Sequence, residues 1–424
     1  MRDGVRMKKL LLVVAVLVAG VGAGAPAVAQ SKRPDIDSVR VWNELAFTAV
    51  RTTRATDADA ARLYAMLDAA MYDAVNGLRS GHARRAPALV GGSGPHGADP
   101  QAAAASAAHA VLVRADADRT ATYDAQLAAD LAKLGPGTPV DRGAAWGDQV
   151  GAAVIASRAD DGYRPVESQA AGAGPGVFRA EWSGTQYRHV RPFAVANPAR
   201  YVPGAPPALT STVYAQAFAQ VKTLGNAAIP APDLLATFQF WSLPAGSVQP
   251  PGEWLRIALT VAGDRHLPLA EQTRLTALLT MTLADTTVVT VSTKYAYRHW
   301  RPTTAIREAD TDGNPATEPD PAWTSRAGSV GGSPEYVSGH SSYSGAAATV
   351  LAGFFRTDRI PFTHTTDSAP GGVARSYPGF AAAATEVGLS RVYGGQHFSF
   401  SDQAGQTIGR GVAREVLTTS LLPA

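Results

Sequence analysis

Apolar residues in the first half of the chain recur at helical rather than alternating spacing. The clearest case is residues 56–76, where Leu63, Met66, Leu67, Ala70, Met71 and Ala74 follow an i, i+3, i+4, i+7 rhythm. Thr56 and Asp59 offer a cap at its start and Gly77 a stop. Similar patterns predict helices near 101–116, 123–134, 144–159, 213–224 and 269–284. The β-branched run 286–291 follows helical 275–283 without a break signal, so it reads as the same helix continued and buried. Strand-like alternation is rare, no fixed-period repeat occurs, and Gly- and Pro-rich stretches at 170–176, 203–207, 244–252 and 310–337 predict long loops. The expected fold class is mainly α.

Composition narrows the function classes. The 424 residues carry a formal charge of +3 from 38 basic and 35 acidic side chains, spread without long runs. Nothing therefore suggests a nucleic-acid stripe or a basic membrane-binding helix, and anion specificity has to be local. Cysteine is absent, which removes thiolate chemistry, disulfide scaffolding and iron–sulfur sites. At the N-terminus, Arg6, Lys8 and Lys9 precede an apolar run over 10–18 and a small-residue site at Ala27, Val28 and Ala29. This is the pattern of a secretory signal over residues 1–29. Residues 20–26 interrupt the run well short of the ~20 apolar residues a membrane span needs. The mature chain is therefore expected to be secreted without stable membrane insertion.

Three segments carry candidate chemistry. Lys294 and Arg301 stand seven apart before Pro302, which in an uninterrupted helix places two cations on one face. They are either a solvated basic helix end or half of an anion site. Ser338, Gly339 and His340 open an Ala-rich apolar stretch, placing a hydroxyl, a glycine amide and an imidazole at a helix N-terminus, where anions are favoured. An ordinary N-cap serine reads the same way. Arg391 and His397 flank Gly394 and Gly395, whose turn would aim both side chains inward, ahead of a helix near 402–416. A lone buried histidine is more often structural than functional.

Together the three segments, Lys-x6-Arg-Pro, Ser-Gly-His and Ser-Arg-x5-His, resemble the vanadium-dependent haloperoxidases and type-2 phosphatidic acid phosphatases. The likeness extends towards the bacterial haloperoxidase branch through Trp42-Asn43, residues 62–76, 300–307, 314–321 and 386–391. It implies a helical-bundle fold of the haloperoxidase/acid phosphatase type, with a single all-α catalytic domain over 30–424. Within it, 38–235 would form an N-terminal helical part and 236–418 the oxyanion-binding bundle. It further implies that vanadate is the cofactor, with phosphate able to occupy the same site. Lys294, Arg301 and Arg391 would neutralise its oxygens, Ser338 and Gly339 would donate hydrogen bonds, His397 would supply the nitrogen bonded to the metal, and His340 would act as acid–base residue. Lys294 is counted with the two histidines as catalytic, and the partners would be hydrogen peroxide, a halide and a small organic acceptor.

This chain departs from that pattern where Val337 replaces a proline and where Ser401, followed by Asp402, replaces an aspartate four positions after His397. The group that orients the His397 ring is therefore open. Val291 and Ser333 stand where fungal chloroperoxidases carry aromatic residues, leaving halide preference open. The alternative is a secreted acid phosphatase of the same superfamily, with His397 as phosphohistidine nucleophile and His340 as general acid. A binding protein with a degenerate site is disfavoured because all seven signature positions are intact. A serine hydrolase or a zinc hydrolase lacks its motif.

Overall fold

The computed structural model describes residues 36–423, so the secretory signal expected over 1–29 lies outside the described residues. In chain order its helices are α1 (Ser38–Thr53), α2 (Asp57–Gly77), α3 (Pro100–Ala115), α4 (Thr120–Leu134), α5 (Thr138–Ser157), α6 (Thr212–Leu224) and α7 (Pro232–Phe240). They continue with α8 (Gln249–Asp264), α9 (Leu269–Tyr297), α10 (Pro302–Arg307), α11 (Gly339–Phe355), α12 (Phe380–Tyr393) and α13 (Ser399–Thr419). The extended structure comprises two short antiparallel pairs, Ser168–Gln169 with Trp182–Ser183 and Phe362–His364 with Arg375–Tyr377. The mainly α class read from the periodicity is what folds.

The organising element is α9, in which residues 286–291 do continue the helix. It is long and apolar enough to cross a membrane, yet 94% of its most apolar window is buried within the chain, so it is a core helix. Packing against α2, α8, α11 and α13 covers it on several sides. Its threonines tolerate this because their hydroxyls donate to the carbonyl one turn back, as Thr280 does to Thr276 O at 2.8 Å and Thr293 to Val289 O at 2.8 Å. Buried carboxylates then peg loops to the helices. Asp285 on α9 accepts from the amides of Phe193, Ala194 and Val195 at 2.6, 2.8 and 2.7 Å.

Three expectations are corrected. Lys294 and Arg301 do not share a helix face: α9 ends at Tyr297, Arg298 is left-handed at φ 48°, and Arg301 is extended at φ −80°, ψ 156°. The cause is Pro302, whose ring disfavours helical geometry in the residue before it and instead starts α10. The loop expected over 244–252 is cut short by α8, because Pro250 and Pro251 fall in its first turn, where a missing N–H costs nothing. The helix after His397 begins at Ser399 rather than near 402.

Close approach of α13 to α11 fixes the start of α11. A Cβ on Gly405 would lie 2.6 Å from Ser338 O, so only glycine admits this contact. The cap read from Thr56 and Asp59 is present, with Asp59 N donating to Thr56 Oγ1 at 3.1 Å and Thr56 Oγ1 to Asp59 Oδ2 at 2.7 Å.

On α2, Asp68 is fully buried and receives Asn43 Nδ2 at 2.9 Å, and burial pushes its carboxyl up to about 7. A carboxyl raised on folding contributes most below its unfolded pKa and loses that contribution as pH rises through its folded value. The melting temperature is therefore expected to fall between about pH 4 and 7, and Asp68→Asn to flatten that decline. Equal slopes for the two proteins in calorimetry would contradict it.

Candidate functional site

Four helix ends and one loop meet at the site. Lys294 comes from the last turn of α9, Arg301 caps α10, Ser338 caps α11, and Arg391 lies in the last turn of α12. The Gly394–Gly395 turn, with Gly395 at φ 70°, then brings His397 back beside Arg391 and ahead of α13. Lys294, Arg301, Ser338, Arg391 and His397 are all buried, while Gly339 and His340 are half-buried.

The cations are held by carbonyls rather than by carboxylates. Lys294 Nζ donates to the carbonyls of Pro334 and Glu335. Arg301 donates through Nε to Ser333 O at 2.7 Å, through Nη1 to Gln396 O at 2.9 Å and through Nη2 to Ser333 Oγ at 3.3 Å. Gly331 clamps it from the other side: a Cβ there would sit 2.9 Å from Arg301 Cζ, and its φ of +97° itself favours glycine. Arg391 reaches Trp241 O at 3.5 Å, and its buried Nε has no hydrogen-bond partner among the described residues.

Burial and mutual repulsion weaken each cation's hold on its proton. Arg391 falls to about 9 by burial and the charge of Arg301, Arg301 to about 10 by burial, and Lys294 well below its ordinary value by burial and Arg301. Glu335 is the carboxylate closest to balancing them, and burial raises it to about 7 against the pull of Arg301 and Lys294. Three cations against two carboxylates, Glu335 and Asp57, both raised by burial, leave an excess of positive charge away from water, where each charge is costly without a partner. The arrangement is built to receive an anion.

The orientation of His397 follows from its partners. Arg301 Nη1 lies 3.0 Å from His397 Nε2, and a guanidinium can only donate, so Nε2 presents its lone pair. The proton then sits on Nδ1, which donates to Glu335 Oε1 at 3.0 Å. The same oxygen accepts Phe398 N at 3.0 Å, and Ser401 Oγ donates to the Glu335 carbonyl at 3.2 Å. The acid that orients His397 is thus Glu335, three residues before Ser338, and neither Ser401 nor Asp402. Burial and the surrounding cations keep His397 neutral by holding its pKa well below the ordinary value.

Ser338 Oγ accepts from Ser341 N at 3.3 Å and Ser341 Oγ at 2.8 Å, leaving its own hydrogen to give. His340 Nε2 lies 3.2 Å from the Ser242 carbonyl, which requires the proton on Nε2 and leaves Nδ1 as a base. Its pKa is held well below the ordinary value by burial, then by Arg391. Val291 and Ser333 line a cavity of about 270 Å³ beside Lys294. Asp57, at the start of α2, lines it as well. Sequence reasoning missed Glu335 and Asp57: the first carries no motif of its own, and the second resembles an ordinary first-turn acid.

The helical bundle with this pocket matches solved structures over nearly its whole length. The chain has the vanadium haloperoxidase fold. A bacterial vanadium-dependent iodoperoxidase superposes with a TM-score of 0.79 at 22% identity, covering 93% of this chain and 99% of that one. The apo and holo forms of a bacterial vanadium-dependent chloroperoxidase give TM-scores of 0.65 and 0.62 at 15% and 16% identity. They cover 84% and 86% of this chain and 92% of theirs. Residues 274–421 match the family model described as the VCPO second helical-bundle domain, a segment that holds all seven signature residues. No curated protein matches the chain.

Because the folded pocket concentrates positive charge that the unfolded chain disperses, a tetrahedral oxyanion should stabilise the fold. Inorganic phosphate at ~100 times its Kd is expected to add about 2.7 kcal/mol, and Arg391→Ala to lose most of that gain. A melting temperature indifferent to phosphate would refute the charge argument.

Proposed function

We propose that the protein is an exported vanadium-dependent haloperoxidase, using hydrogen peroxide to oxidise a halide that then modifies a small organic acceptor. The observation that carries this reading is the His397 Nε2 lone pair, held among three buried cations by Glu335 on its far side. The residues fit vanadate: an orphaned Arg391 Nε, a spare Ser338 hydrogen and a neutral imidazole supply the donors and the nitrogen that such an anion takes. When bound, vanadate supplies Lewis acidity that activates peroxide towards halide.

The chain's own residues do the rest. Lys294, Arg301 and Arg391 neutralise the anion, and the Ser338 hydroxyl and Gly339 amide donate to it at the start of α11, where backbone N–H groups are free. His397 Nε2 would supply the nitrogen that holds the group. His340, with Nε2–H directed at Ser242 O, leaves Nδ1 unprotonated and would serve as the acid–base residue. The low proton affinity of both rings in the cationic pocket keeps them unprotonated, His397 free to offer Nε2 as a ligand and His340 to offer Nδ1 as a base.

Purified without phosphate and loaded with orthovanadate, the protein is expected to halogenate in a peroxide-dependent manner with little hydrolysis of an aryl phosphate. Brisk hydrolysis that vanadate inhibits, without halogenation at any peroxide level, would sink the proposal. His397→Ala is expected to abolish stoichiometric vanadate binding. Glu335→Ala should weaken vanadate affinity about 10–100-fold, and Glu335→Gln, which keeps an acceptor for His397 Nδ1 and Phe398 N, should recover most of it. Unchanged affinity in Glu335→Ala, read by equilibrium dialysis, contradicts the orienting role.

A further inference from the structure

The cavity of about 270 Å³ beside Lys294 holds more than a halide requires. At about 30 Å³ of liquid volume per water molecule, it has room for a small ring. Its lining includes the apolar side chains of Ala58, Trp182 and Val291. Of the polar side chains in the lining that the anion cradle does not use, two bear on what the cavity holds.

The first is Asp57. The cap of α2 is made by Thr56 and Asp59, so Asp57 is free of that duty and its carboxylate faces the cavity beside the Tyr343 hydroxyl, with which it hydrogen-bonds. Its Oδ1 accepts Ala58 N at 2.9 Å, while Oδ2 lies 3.7 Å from where a Cβ on Gly339 would be, at the edge of the cradle. A carboxyl in this place repels a halide and attracts a hydrogen-bond donor. Burial raises its pKa and the charge of Lys294 opposes that rise.

The second is Thr290. Five buried threonines of α9, at 280, 282, 286, 287 and 293, donate to the carbonyl four residues back. Thr290 is 5% exposed, lines the cavity, and its Oγ1 has no hydrogen-bond partner among the described residues. A buried hydroxyl left unsatisfied costs free energy unless a ligand completes it. It therefore points to an occupant with a polar edge as well as a flat apolar face.

We propose that this cavity is the acceptor subsite, that it binds a small phenol with its ring against Trp182 and Val291, and that Asp57 accepts the phenolic hydrogen. The inference rests on the haloperoxidase reading for its chemistry. In that chemistry, a ring carbon forms the carbon–halogen bond as the oxygen–halogen bond of the hypohalous acid breaks. The hydroxide released takes up the proton lost from the ring, so a phenol and a hypohalous acid give a halophenol and water. Asp57 stays chemically unchanged; by accepting the O–H it makes the ring a better nucleophile and keeps it beside the cradle, so the halogen is captured before it escapes.

Calorimetric titration of the full chain without vanadate tests the subsite apart from activity. Phenol is expected to bind saturably, and its methyl ether anisole, which has no O–H to give, about 10-fold more weakly, as loss of a hydrogen bond to a charged group implies. Asp57→Ala should bring phenol to the level of anisole, and the isosteric Thr290→Val should weaken phenol as well. Equal affinity for phenol and anisole in the unaltered protein, or no saturable phenol binding, overturns the proposal without need of any variant. Phenol binding in a protein that never halogenates would sink the activity proposed above and leave the subsite standing. Halogenation without phenol binding would do the reverse.

Discussion

Like charges brought together in a dry interior repel, and the pocket at the end of α9 is organised around that repulsion. Lys294, Arg301 and Arg391 are all buried. The Glu335 carboxylate, which could have neutralised one of them, is instead directed to His397 and the Phe398 amide. The cations are solvated by carbonyls of Ser333, Pro334, Gln396 and Trp241, which satisfy N–H groups without cancelling charge. The free energy left unbalanced becomes affinity for whatever anion completes the site.

That constraint explains why several segments far apart in sequence must be positioned to within a hydrogen bond. Burial of α9 on several sides fixes the height of Lys294, Pro302 turns Arg301 back towards it, and the glycine contact between α13 and α11 holds Ser338 against the start of α13. His397 depends on the Gly394–Gly395 turn, which reverses the chain directly after Arg391. The fold supplies rigidity at each of these ends, because an anion site formed on loose loops would let the cations separate.

Much of this was legible in the sequence, and the limits have physical causes. The period-3.6 pattern of α2, the continuation of α9 through its β-branched run and the cap at Ser338 are local signals, and each is present in the structure. The relation of Lys294 to Arg301 was misjudged because helical spacing was carried across a residue that Pro302 forces out of the helix. The helix α8 was hidden by a Pro-Pro pair that belongs in its first turn. Glu335 could not be found by counting from His397, since its carboxylate arrives from the loop before α11, 62 residues away. Asp57 escaped because an acid in the first turn of a helix needs no other explanation until the opposite wall of the cavity is known.

The two sides of the pocket therefore have different origins along the chain. The signature groups of the anion cradle all come from residue 294 onwards, whereas the cavity beside them is also lined by Asp57, Ala58 and Trp182 from the N-terminal part. The cavity lining thus draws on parts of the chain far apart in sequence. Substitutions at Ala58 or Trp182 can change which molecules are admitted while leaving the signature residues of the anion centre untouched, whereas one at Asp57 also alters the charge felt by Lys294.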